Sequence, residues 1–157
     1  MPVSPISKAS VTGLGAVISI GSVTGQTDTF VAIGEVTDAK FSGAKRAIVT
    51  TTSFDSAGVA TKLGTILDSG TVTLTTTRVS SDAGQVAVLA AFNAQPSNAY
   101  DFKVVLPLAP GQTTIGDTIT FSAVVSAAGD FDIDISKQSE YTFTLEISGA
   151  KSVTFGS

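Results

Sequence analysis

The chain has 157 residues and carries 13 acidic against 9 basic side chains, a formal net charge of −4, with no cysteine, histidine or tryptophan. The lack of Cys and His removes disulfide scaffolds, thiolate nucleophiles, zinc sites and imidazole bases together. Charged residues make up only 14% of the chain and hydrophobic ones 43%, against ~25% charged in an average soluble domain, so Thr, Ser and Gly must cover much of the surface.

That composition suits a protein packed against copies of itself. The length implies one domain with a sizeable core. No run approaches the ~18 apolar residues of a membrane-spanning helix. The charge is unevenly placed: Val104 to Ser157 holds six acidic residues (Asp117, Asp130, Asp132, Asp134, Glu140, Glu146) against Lys137 and Lys151, while the first 103 residues balance to zero.

At the N-terminus, Lys8 precedes a weakly apolar run studded with Gly, Ser and Thr, with no A-x-A-like site after it. This reads as an N-terminal arm over residues 1–28 rather than a secretion signal, with a short strand at Ala16 to Ile20 between Gly15 and Gly21. Asp28 to Ser42 reads as one strand with a bend at Gly34, and Lys45 to Thr52 as a second, joined through Ser42 and Gly43. Ser53 to Ser69, with Gly58 and Gly64, reads as a long loop, and loops of that length are usually functional or ordered on binding.

From Gly70 the pattern sharpens. Val72 and Leu74 alternate with Thr71, Thr73, Thr75 and Thr77, the period of a strand with one buried face. The period then changes to that of a helix over residues 82–94. Asp82 is the N-cap, Gln85 stands three residues on as in a capping box, and Val88, Leu89 and Phe92 form the predicted core face. From Ala83 to Asn93 there is no charge, and Ala87, Ala90 and Ala91 stand where surface helices place Lys or Glu. Two explanations stay open: an Ala-rich face tolerated in water, or a helix covered on its second side by another subunit. Further strands are expected at Tyr100–Leu108, Thr118–Ser126, Phe131–Ile135 and Tyr141–Ser148. The predicted class is mainly β, a sandwich or barrel with one packed helix.

The run DAGQVAVLAAFN at Asp82 to Asn93, between the Gly70 to Arg78 strand and AYDFKVVLP at Ala99 to Pro107, resembles the strand, helix, strand segment of major tail tube proteins of lambda-like, long-tailed phages. The similarity continues through VVSAAG at Val124 to Gly129 and TFTLEISG at Thr142 to Gly149, and less closely upstream through TFVAIGEVTDAKFSG at Thr29 to Gly43 and TTSFDS at Thr51 to Ser56. No C-terminal immunoglobulin-like decoration of the kind some members carry is expected after Gly149, and GDFDIDIS is more acidic than the resemblance leads one to expect at that turn.

The resemblance implies a tail-tube domain over residues 29–149 with a short tail after it. It further implies rings of six whose strands make one inter-subunit β-barrel, stacked around a lumen that passes DNA without binding it specifically. The partners implied are the chain itself and the tape-measure and tail-terminator proteins, in the virion tail, with no cofactor. The long loop, with Phe54, Asp55, Lys62 and Leu63, would meet the next ring, and its ordering there would cost conformational entropy until a ring end is available.

Asp130, Asp132 and Asp134 share one face of an alternating DFDIDI strand. Ile135 and Tyr141 occupy the sixth and twelfth positions of a would-be calcium loop, which argues against that site. A solvated strand face and an acidic stripe lining the lumen remain. Carboxylates within a Debye length of roughly 8 Å of duplex DNA would repel it, where a basic wall would hold it. Lys45 and Arg46, near Lys40, form a basic cluster read as solvent-exposed or as pairing with carboxylates across a subunit boundary. No G-x-S-x-G nucleophile elbow occurs, and the chain is read as a non-enzyme. The alternative, a secreted β-sandwich module binding carbohydrate or acting as an adhesin, usually displays Trp or Tyr for stacking. This chain has two tyrosines, Tyr100 and Tyr141, both expected in strands.

Overall fold

A computed structural model describes residues 15–27, 29–55 and 57–157, with the backbone alone for 130 and 131. Residues 1–14 of the expected N-terminal arm therefore lie outside the described residues. The elements run β1 Val17–Val23, β2 Val31–Ile33, β3 Val36–Ser42, β4 Lys45–Thr50, β5 Lys62–Asp68, β6 Thr71–Thr77, α1 Ala83–Asn93, β7 Tyr100–Val105, β8 Thr118–Asp132 and β9 Glu140–Thr154. Seven strands form one antiparallel sheet in the order β2-β1-β7-β8-β9-β6-β3, and β4 and β5 form a separate two-stranded sheet.

Strands β2 and β3 are separated in sequence by only Gly34 and Glu35, yet they stand at opposite edges of the seven-stranded sheet. That connection is satisfied by curling the sheet until its edges approach, which makes it a half-barrel. The inner face carries the core: Ile18, Ile20, Val72, Leu74, Phe102, Val104, Phe121, Ala123, Phe143 and Leu145 are all buried. Phe102 stacks on Phe121 at 5.6 Å between ring centroids, and Phe41 meets the same ring edge-on at 5.5 Å. Along β6 and over Glu140 to Ser148 of β9, every other residue is Thr, Glu or Ser and faces outward, as the alternation requires.

The helix plugs the curl through its first turn. Asp82 Oδ1 accepts from Gln85 N at 2.9 Å and from Gly34 N at 3.1 Å, so the cap also pins the β2–β3 turn. Gln85 departs from the reciprocal half of a capping box. Its buried side chain accepts from Val79 N and donates to the carbonyls of Gly34 and Thr77, fastening three segments at one point. Gly84 is required here, because a Cβ would run into the Ala32 carbonyl beneath it.

Several expectations need correction. The strand expected over Asp28 to Ser42 is two strands, since Glu35 adopts φ 55° in a turn that reverses the chain. The long loop 53–69 contains β5, which pairs with β4 to make a hairpin. The first strand belongs to the sheet between β2 and β7, so residues 17–23 are body rather than arm. The strands expected at 118–126 and 131–135 are one, β8, which ends at Asp132. The final strand runs on to Thr154, past the expected domain end at Gly149. Of the predicted helix core face, Val88 is fully buried and Leu89 half-buried, but Phe92 is 39% exposed. The close approach at Gly84 rotates Val88 and Ala91 inward and leaves Val86, Ala90 and Phe92 on the outer side.

Candidate assembly surfaces

The hairpin β4–β5 stands apart from the rest. Every residue of both strands is exposed. Register pairs Val49 with Leu63 on one face, while Arg46 with Leu67 and Ile48 with Gly64 occupy the other, so both faces carry apolar side chains. Ile66 is 79% and Leu63 57% exposed, and Phe54 in the connecting loop is fully exposed beside exposed Asp55. Lys45 stands opposite Asp68 and Lys62 opposite Thr50. Arg46 lies along Gly64 and donates to the Thr65 carbonyl at 3.0 Å. The six residues predicted for inter-subunit or inter-ring contact (Lys45, Arg46, Phe54, Asp55, Lys62, Leu63) therefore all lie on this one projecting element. The root is fastened to the body: Ser69 Oγ donates to the Gly149 carbonyl at 2.6 Å, and Asp68 accepts from Gly70 N at 2.9 Å.

A second surface is the convex side of the sheet. Thr75 opposes Thr142, Thr73 opposes Thr144, and Thr71 opposes Glu146, giving a hydroxyl-rich ladder across β6 and β9. It continues through Ser122 and Thr120 of β8 to Asp101 and Lys103 of β7. Asp101 accepts from Ser122 Oγ at 2.6 Å and Thr24 Oγ1 at 3.0 Å, and Lys103 Nζ sits 4.4 Å from the centre of the Phe30 ring. At the far end of the β8–β9 ladder Asp130 pairs in register with Thr142 and Asp132 with Glu140.

The predicted acidic stripe is only partly a strand face. Asp132 forms a 2.6 Å ion pair with Lys137, which raises the lysine pKa through that hydrogen bond and charge. Asp134 lies in the turn beyond β8 and accepts from Ser136 N at 2.8 Å. Ile133 and Ile135, which the alternation puts on the face opposite the carboxylates, are exposed beyond the end of β8. The side chain of Asp130 is outside the described residues. Among the described residues no cluster of three or more metal-ligating side chains occurs.

A third surface is a cleft of about 380 Å³ at the open seam of the half-barrel. Ala16 and Ile18 of the β1 side, Val104 and Leu106 near the end of β7, and Ile119 of β8 form one wall, and Val36 to Ala39 with Phe41 of β3 form the other. A fourth feature closes the end of the barrel: Asp117 accepts from Gly156 N at 2.9 Å and Gln112 Nε2 at 2.8 Å, and these two bonds hold its pKa below the usual carboxylate value.

Two spacings of the S-x-x-K type occur, Ser42 to Lys45 and Ser148 to Lys151. Each spans a glycine at positive φ, Gly43 or Gly149. Neither stands on the helix that such a pair needs to bring Lys one turn from Ser. Tyr100 and Tyr141 are half-buried against the core, and the Arg78 guanidinium lies over the Tyr141 ring at 5.5 Å from its centre.

No family model and no curated protein matches the chain by sequence. Solved structures match its fold over nearly the whole length. A chain of the sheath-tube complex of the extracellular contractile injection system PVC, in its extended state, aligns with TM-score 0.69 at 12% identity, over 98% of this chain and 99% of that one. This is a tail-tube fold. A chain of the tail of an empty GTA particle aligns with TM-score 0.63 at 16% identity, over 94% and 100% of the two chains. The SPP1 tail tube aligns with TM-score 0.61 at 14% identity, over 94% and 80%. The class predicted from sequence, mainly β with one packed helix, is the class observed.

Proposed function

We propose that this chain is the structural subunit of a phage-type tail tube, built from six-membered rings stacked around a lumen, with no enzymatic role. The observation that carries the proposal is the hairpin β4–β5. Its apolar residues face solvent on both sides of a two-stranded sheet, an element marginal in isolation, on a body that otherwise has the tail-tube fold. Such an element is completed by wedging between other copies, where both faces are covered. Heterologous contacts of that kind close into rings and, repeated along the axis, extend into filaments. The GTA tail was refined with C6 symmetry, which favours six copies per ring here. The charge-free outer side of α1, with Val86 and Phe92, is a second surface for a neighbour.

The hydroxyl-rich convex face is the proposed bore lining, with Glu146 and the acidic run Asp130, Asp132 and Asp134 keeping the wall repellent to DNA. Tape-measure and tail-terminator proteins are the proposed partners, and the virion tail the proposed location. Electron microscopy of the purified protein tests the core of this proposal. Rings or tubes are expected, and dispersed monomers at high concentration would overturn it. The lining is tested separately by replacing Asp130, Asp132 and Asp134 with Lys: tubes should still form while DNA ejection stalls.

A further inference from the structure

We propose that the cleft at the open seam of the half-barrel, along the free edge of β3, receives the β4–β5 hairpin of a second copy of this chain. The proposal rests on the tube reading and names the surface on which its projecting element lands.

The seam is unfinished in one subunit. On one side β3 pairs with β6, and among the described residues no strand pairs with its other side. Such an edge presents a row of backbone donors and acceptors ready for another strand. Beneath that edge the cleft is apolar, formed by Ile18, Val104, Ile119, Ala39 and Phe41. It therefore offers main-chain pairing along its rim and an apolar floor for alternate side chains, the two components of strand addition.

The hairpin supplies the complementary half. Among the described residues it has no third strand, and it exposes apolar side chains on both faces. Whichever face turns toward the cleft floor, Val49 and Leu63 or Ile48 and Leu67 are available to fill it. Charges of both signs are available for pairing: Asp38 stands in the cleft wall with Lys40 two residues on along β3, and Lys45, Arg46, Lys62 and Asp68 ride on the hairpin. No hairpin residue lines the cleft of its own subunit, and the hairpin root is held on the β9 side through Ser69 and Gly149. Donor and acceptor thus occupy different surfaces of one molecule, the arrangement that makes head-to-tail assemblies.

The chain has no cysteine, so introduced thiols report without background. One preparation carries Thr37→Cys or Lys40→Cys on the β3 edge, the other Leu63→Cys or Ile66→Cys on the hairpin. The two are mixed, assembled and oxidised. A disulfide requires Cα atoms within about 7 Å, so a covalent heterodimer from at least one pairing is expected when assembled material is oxidised, and none when the mixture is diluted to monomers before oxidation. Rings or tubes that form without any such cross-link overturn the proposal and leave the tube reading intact. Cross-linking of the Thr37→Cys edge to a Ser4→Cys variant instead would assign the cleft to the N-terminal segment and also overturn it. Should the wild-type chain form neither rings nor tubes, the tube reading falls, and the same cross-link in concentrated protein still decides the cleft.

A complementation experiment uses no thiols. Ala39→Glu blocks the cleft and Ile66→Asp blocks the hairpin, so each variant alone should remain monomeric. Mixed, they retain one good cleft and one good hairpin between them and should form a one-to-one heterodimer that grows no further. A mixture that stays monomeric, with both variants melting as folded proteins, counts against the proposal.

Discussion

The sheet body and the β4–β5 hairpin use the same residue types to opposite ends. In β6 and the first half of β9, Val, Leu and Phe alternate with Thr and Glu, and Val72, Leu74, Phe143 and Leu145 all find the core, while Val153 near the end of β9 is 47% exposed. In β4 and β5, Ile, Val and Leu are as frequent but face both ways, and none is covered. Apart from its open seam, the body buries its core within one chain. The hairpin is half of an object, and its apolar side chains become useful only when a neighbour supplies the rest. Alternation, more than hydrophobicity, separates the element that folds the subunit from the element that joins subunits.

Substitutions can sharpen or break that comparison. The largest effect on folding is expected in the body: Phe143 is completely buried, and Phe143→Ala should cost about 3–5 kcal/mol by cavity formation, read as a loss of melting temperature in the isolated subunit. A retained melting temperature would show that the sheet interior is not the stabilising core. On the helix, Val88→Ala should cost about 2–3 kcal/mol, whereas Phe92→Ala, at a partly wetted position, should cost the lone subunit only about 1 kcal/mol and weaken assembly instead. Equal costs in denaturant titrations of the monomers would erase the distinction between the two helix faces. The smallest effect on folding belongs to the hairpin. Ile66→Asp should change subunit stability by no more than ~0.5 kcal/mol and yet abolish tubes in negative-stain images, and tubes of normal length from this variant would detach the hairpin from assembly.

What was legible in the sequence follows the same division. The alternation of Val72 and Leu74 with threonines, the Asp82 cap and the uncharged helix are local signals, and each appears where expected. β5 escaped because Gly64 interrupts its run and because a strand apolar on both faces lacks the period-2 signature. The position of Phe92 escaped for a different reason. Helical periodicity identifies which residues share a face, but the face that goes down was set by Gly84 against the Ala32 carbonyl, a contact between distant segments. The break at Glu35 is similar: a positive φ at a non-glycine residue is imposed by the sheet, which requires its two edge strands to be joined there. The stretch Phe131 to Ile135 reads as strand because its alternation is real, yet a strand needs a ladder partner, and the pairing of β8 with β9 ends at Asp132 opposite Glu140.

The hydrogen-bonding order of the sheet sets a timetable. β1 pairs with β7, Val17 opposite Val105, so the first strand made must wait until the helix and the strand after it have emerged. Contacts between segments so far apart in the chain form slowly, typically on the millisecond-to-second scale for β-rich domains. Until β7 arrives, β1 and β2 have no sheet to join, and the turn at Gly34 and Glu35 cannot bring the two edges together. A growing chain can therefore form its β4–β5 hairpin early, but the cleft proposed to receive it, with Val104, Leu106 and Ile119 in its wall, is completed only after β7 and β8 have been made, so connectivity delays polymerisation.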